Sequence, residues 1–212
     1  MEKRIIFATG NAGKMKEIRM ILADLGMPVV SMKEAGVSVE IEENGTSFEE
    51  NAVIKARTIM EQTGEITMAD DSGLEIDALN KEPGIYSARY MGEDTSYEIK
   101  NQNLIDRLQG VPEEKRTARF VCAVACAFPD GRVFTVTRTM EGIIAEESRG
   151  ANGFGYDPIF YLPEKGCTSA EISAEEKNEM SHRGKALRAM RQQLEELLKT
   201  QADDAQETIL GN

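Results

Sequence analysis

The chain has 212 residues, 41% hydrophobic and 29% charged, the mix of a folded globular protein and not of a disordered one. At this length roughly 70% of the unfolded surface is buried, so a core forms without covalent staples. Lys and Arg number 25 against 37 Asp and Glu, a net charge of −12, which excludes a general nucleic-acid binder but leaves room for a local basic pocket holding one small polyphosphate.

The segment before Thr9 is too short in apolar residues for a signal peptide, and no run approaches a membrane span, so a soluble, cytoplasmic protein is expected. Residues 1–200 read as one unit, and 201–212 as a polar, loosely held tail. Along the chain, 3–8 predicts a strand, Thr9-Gly10-Asn11-Ala12-Gly13 a turn, and Met15, Ile18, Leu22 and Leu25 one face of a helix. Alternation over Val37 to Ile41 predicts a second strand ending at Glu42-Glu43. Ser47 with Glu50 forms a capping box ahead of a helix bearing Phe48, Ala52, Ala56 and Ile59. A strand over 65–69 is expected to end in Asp70-Asp71-Ser72-Gly73, with a short strand over 74–79. Residues 97–108 read as helix, 119–128 as an apolar strand, Pro129-Asp130-Gly131 as a turn and 133–140 as its partner strand. A glycine-rich loop follows over 150–157, then a second capping box at Ser173 and Glu176 and a last helix marked by Leu187, Met190, Leu194 and Leu197. Strand–helix units beside an antiparallel hairpin predict a mixed sheet flanked by helices, an α/β fold.

Three cysteines and one histidine fit neither a disulfide framework nor an ordinary zinc site. Cys122 and Cys126 would share one strand face as buried thiols. Four segments can carry chemistry. Thr9 to Lys14 joins a strand to a helix N-terminus, where glycines let backbone N–H groups approach phosphate and Lys14 adds charge. Its spacing is not that of a Walker A loop. Glu42, Glu43, Asp70 and Asp71 stand at strand ends. Converging, they would bind a divalent metal with a polyphosphate, and one could take a proton from water. Lys55, on the helix after Glu43, could face the same cleft. Phe154, between Gly153 and Gly155, could offer a stacking face to a base. His182 and Arg183 at a helix start, with Lys177 upstream, are donors for keto or phosphate oxygens.

The segments Ala8 to Lys14, Ala69 to Leu74, Pro83 to Tyr90, Gly153 to Phe160 and Ser181 to Gly184 together resemble the inosine/xanthosine triphosphate pyrophosphatase family, in the family's order, from residue 4 to about 198. The resemblance implies an elongated mixed sheet with two lobes around a cleft and a homodimer. It also implies Mg2+-dependent hydrolysis of inosine, deoxyinosine and xanthosine triphosphates to the monophosphate and pyrophosphate, which cleanses the nucleotide pool. It assigns Thr9, Gly10, Asn11, Ala12, Gly13 and Lys14 to the phosphates, with Lys55 facing them. Asp71 becomes proton acceptor and metal ligand, and Glu43 the second ligand, with Glu42 and Asp70 in support. Ser72 contacts the nucleotide, and Phe154, Gly155, Tyr156, Asp157, Lys177, His182 and Arg183 form the base and sugar site. Two readings of other kinds stand beside it: a pyrophosphatase for other modified nucleotides, and a nucleotide-binding module without catalysis.

Overall fold

The computed structural model describes residues 4–210, with side chains as far as residue 197 except at Ala12. Its seven-stranded sheet runs in the order β2-β1-β3-β4-β5-β6-β7. The strands are β1 (Ile5–Phe7), β2 (Val29–Ser31), β3 (Ile66–Ile76), β4 (Thr117–Ala127), β5 (Val133–Ile144), β6 (Phe160–Leu162) and β7 (Cys167–Thr168). The first three are parallel and the rest antiparallel, the mixed sheet expected. The helices are α1 (Ala12–Leu22), α2 (Phe48–Thr63), α3 (Tyr97–Arg107), α4 (Ala174–Met180) and α5 (His182–Leu210).

Helices cover both faces because β4 is apolar on both sides. Cys122, Val124 and Cys126 pack with Met15 and Ile18 of α1 and Leu187 and Met190 of α5. Val121, Ala123, Ala125 and Ala127 pack on the other face against Phe48, Ala52, Ala56 and Ile59 of α2. Alanines on both sides of that contact let helix and sheet approach closely. A third cluster, with Leu74, Leu104, Phe120, Ile159 and Phe160, fills the far end of the long strands. Burial pushes the Cys122 and Cys126 thiols up to about 12, so both are inert packing groups.

Both serines cap their helices as expected, Ser47 Oγ accepting from Glu50 N and Ser173 Oγ from Glu176 N, each at 3.1 Å, but the reciprocal arm of the box is absent among the described residues: Glu50 accepts from Thr46 N and Glu176 pairs with Lys165. Two expected strands need correction. Val37 to Ile41 is not a strand. Its alternation is real, since Val37, Val39 and Ile41 pack against the α2 cluster, but it has no sheet partner. The place beside β1 belongs to β2, only three residues long and too short to signal itself. The strands expected over 65–69 and 74–79 are one: β3 runs unbroken through Asp70-Asp71-Ser72-Gly73, because β4 pairs with it from Thr67 to Ile76. Residues Asp77–Leu79 form a 3-10 turn. The backbone of α5 continues to Leu210, and the expectation of a loose end after 200 falls on residues whose side chains lie outside those described.

The connections position the site. From β1 the chain steps outward to β2, then returns across β1 to β3. Ligands of α/β sheets bind in the crevice at the carboxyl ends of strands where the winding reverses. Here that crevice opens between the 9–14 loop and the acids of β3.

Candidate active site

Adjacent residues of a strand point to opposite faces, and this decides what the two acids of β3 can do. Asp70 shares its face with α1 and α5. Its carboxylate accepts from Lys14 Nζ at 3.2 Å, Arg183 Nε at 3.2 Å and Ser72 Oγ at 3.2 Å. Burial alone would raise its pKa. Lys14, Arg183 and Lys55 outweigh burial and hold the group well below the usual carboxylate range. Asp71 faces α2. It accepts from Lys55 Nζ at 3.1 Å and Asn51 Nδ2 at 3.2 Å.

Lys55 Nζ also lies 3.1 Å from Glu43 Oε1, so Glu43, Lys55 and Asp71 form one half-buried array. Burial raises the pKa of Asp71, Lys55 opposes this, and Glu43 adds to the rise. The carboxyl sits above its ordinary value. Burial also acts to lower Lys55, but Asp71, Glu43 and Asp70 prevail and raise it. Glu42 is exposed and has no such partner, so position separates the two glutamates where sequence could not.

The expected convergence of four carboxylates therefore does not occur. Among the described residues no three acid, histidine or cysteine side chains gather into a metal-binding group. Asp70 lies across the sheet from Asp71, neutralised by lysine and arginine. The repulsion expected between the adjacent acids is relieved by strand alternation and these cations. What remains is a pair of hard carboxylates, Glu43 and Asp71, bridged by Lys55, with Glu43 lining the second cavity beside the 9–14 loop. That donor set fits a divalent cation completing its shell with phosphate oxygens and water.

The Thr9 to Lys14 loop joins β1 to the N-terminus of α1 as the sequence predicts. Asn11 caps α1, its Oδ1 accepting from Lys14 N at 3.1 Å, and Thr9 Oγ1 accepts from Asn11 N at 3.2 Å. The first-turn N–H groups of α1 are thereby presented at a helix N-terminus. On one side of the loop lies a cavity of about 790 Å³ lined by Thr9, Lys14, Ser72, Tyr97, Phe120, Phe154, Asp157, Lys177 and His182. On the other side a second, of about 740 Å³, is lined by Thr9, Gly10, Lys14, Lys33, Glu43, Lys55 and Asp70. Thr9, Gly10 and Lys14 belong to both walls, so the loop is the waist between the two cavities.

In the first cavity the Phe154 ring stands clear, 57% exposed. Lys177 Nζ lies 5.0 Å and Arg183 Cζ 5.8 Å from its centroid. Asp157 is buried and accepts from Phe154 N at 2.8 Å, from Ser169 Oγ at 2.8 Å and from Lys177. Tyr156 donates to Ser87 O at 2.6 Å, tying the loop to the Pro83–Tyr90 segment. His182 is stacked on Phe120 at 5.0 Å, and its Nδ1 has no partner among the described residues. Burial, with Arg183 and Lys177 nearby, keeps its pKa well below the ordinary value, so the ring is neutral.

Residues 5–193 match the model of the Ham1 family. The chain belongs to the Ham1 family. It is 49% identical over 185 residues to a protein of Desulforamulus reducens named dITP/XTP pyrophosphatase, covering 87% of this chain and 92% of that one. A Bacillus licheniformis protein of the same name is also 49% identical, over 188 residues, covering 89% of this chain and 96% of the relative. Among solved structures, a HAM1 protein from Coxiella burnetii superposes with a TM-score of 0.85 at 41% identity, covering 92% of this chain and 99% of that one. The Staphylococcus aureus Ham1 protein gives 0.84 at 40% identity, covering 91% and 98%.

Sequence reasoning passed over several residues of this Ham1 cleft. Asn51 is fully buried, with Oδ1 on Gly45 N at 2.9 Å and Nδ2 on Asp71. Its signal was available: it lies four residues before Lys55, one turn away on the same helix face. Tyr97, Ser87 and Phe120 line the first cavity from distant segments, and no local pattern marks them. Lys33 lines the second.

Proposed function

We propose that this Ham1 protein hydrolyses deaminated, non-standard purine nucleoside triphosphates (ITP, dITP and XTP) to the monophosphate and pyrophosphate. The reading includes dependence on magnesium, action as a cytoplasmic homodimer and a role in cleansing the nucleotide pool. The observation that carries it is the Glu43–Lys55–Asp71 array set beside a phosphate loop. Near-full-length identity to relatives named dITP/XTP pyrophosphatase supports the same reading.

In this reading the base lies against Phe154, the α-phosphoryl group sits at the waist, and the two outer phosphates lie in the second cavity. Glu43 and Asp71 would hold magnesium, which supplies charge neutralisation at the phosphoryl oxygens. Asp71 accepts the proton of the attacking water. Its bonds from Lys55 Nζ and Asn51 Nδ2 hold the carboxylate in place for that transfer. Lys55 orients that carboxylate, and Lys14 with the loop N–H groups meets the charge of the leaving pyrophosphate. Neutral His182, with its free Nδ1, and Arg183 read the purine edge. A site built around such bonds rejects a mismatched base strongly.

Asp71→Asn tests the assignment. It keeps the size of the side chain and removes the proton acceptor, so pyrophosphate release should fall by at least about 100-fold with thermal stability retained. A variant at near wild-type rate would remove Asp71 from the role.

A further inference from the structure

The second cavity holds one cation without an anionic partner. Lys14 is paired with Asp70 at 3.2 Å, and Lys55 with Glu43 and Asp71 at 3.1 Å each. Lys33 lines the same wall and forms no ion pair or side-chain hydrogen bond among the described residues. The acids beside the cleft thus already answer the other two lysines, and the outer phosphates of a bound triphosphate bring further negative charge to this end.

The turn after β2 fixes the backbone at Lys33. Gly36 N donates to Lys33 O at 3.1 Å and Val37 N to Met32 O at 2.9 Å, with Gly36 at a φ of +73° that favours glycine. The adjacent acid, Glu34, is engaged elsewhere. It accepts from Ser31 N at 2.7 Å, Ser31 Oγ at 2.8 Å and Arg19, so it does not neutralise its neighbour. Lys33 is exposed at the rim, on the side of the waist away from Phe154.

We propose that Lys33 receives the terminal phosphoryl group of the bound nucleotide, and then the departing pyrophosphate, so that it reads chain length at the end of the cleft opposite the base. The inference rests on the proposed triphosphate pyrophosphatase activity. Lys33 binds and does not take part in proton transfer, so its effect falls on KM.

The test compares wild type, Lys33→Gln and Lys33→Arg. Calorimetric titration with inorganic tripolyphosphate and magnesium is set beside titration with deoxyinosine monophosphate and steady-state kinetics on dITP. A partly exposed charge contact is worth about three- to tenfold. Lys33→Gln should weaken tripolyphosphate binding and raise KM by that factor, leave kcat within about twofold and leave monophosphate binding as it was. Lys33→Arg should recover most of the loss. Unaltered tripolyphosphate affinity in Lys33→Gln, or an equal loss of monophosphate affinity, overturns the assignment. Absence of turnover in wild type with Lys33-dependent tripolyphosphate binding would instead overturn the pyrophosphatase reading and uphold Lys33.

Discussion

Asp70 and Asp71 are neighbours in sequence on opposite faces of the sheet. Asp70 closes a buried network with Lys14 and Arg183. Removing its charge leaves Arg183 buried with only Glu17, 3.4 Å away, as counter-ion. Asp70→Asn should cost about 3 kcal/mol, or about 6–12 °C in Tm. Because the folded pKa of Asp70 is depressed, its contribution is fully present above the unfolded value of about 4 and is lost as pH falls through the folded value. The gap in Tm between wild type and Asp70→Asn should therefore be constant near neutrality and narrow in strong acid. An equal Tm at pH 7 would contradict the network. Asp71, by contrast, should carry the loss of turnover with little loss of stability. Sequence alone marked both acids, along with Lys14, Lys55, Phe154 and His182. It could not tell which face each acid takes, because that depends on β3 continuing through the pair. Asn51 was within reach of the same reasoning, one helical turn before Lys55, but its bond to Asp71, 20 residues away, shows only in the fold.

The loop over Gly153 to Asp157 is the element most tightly bound to its residue types. Gly153 has a φ of +74°, and an added Cβ would fall 2.2 Å from Asp157 Oδ2 and 3.1 Å from Lys177 Nζ. Gly153→Ala should strain the loop by about 1–2 kcal/mol and displace Asp157 and Lys177 from beside Phe154. We expect KM for dITP to rise roughly tenfold, with far-UV circular dichroism unaltered. An unaltered KM would show that this loop does not form the base wall. Elements such as this loop, α2 with its serine cap and the β4–β5 hairpin were legible because each carries its own local chemistry. Val37 to Ile41 misled because alternation reports burial on one side and not a hydrogen-bonded partner. β2 escaped because three residues carry no period.

At the scale of the whole molecule, β3, β4 and β5 span 11, 11 and 12 residues and join the α1–α5 end of the sheet to the α3 end. The cleft draws walls from both: the phosphate loop from one, Tyr97 and Phe154 from the other. A chain of net charge −12 thereby gathers Lys14, Lys33, Lys55, Lys177 and Arg183 along the two cavities, all but Lys33 paired with carboxylates among the described residues. The most direct measurement is pyrophosphate release, with magnesium, from dITP, XTP, dATP and dGTP. Fast release from dITP and XTP alone is the predicted result. Equal release from all four would contradict the base discrimination, and release from none would contradict the catalytic reading itself.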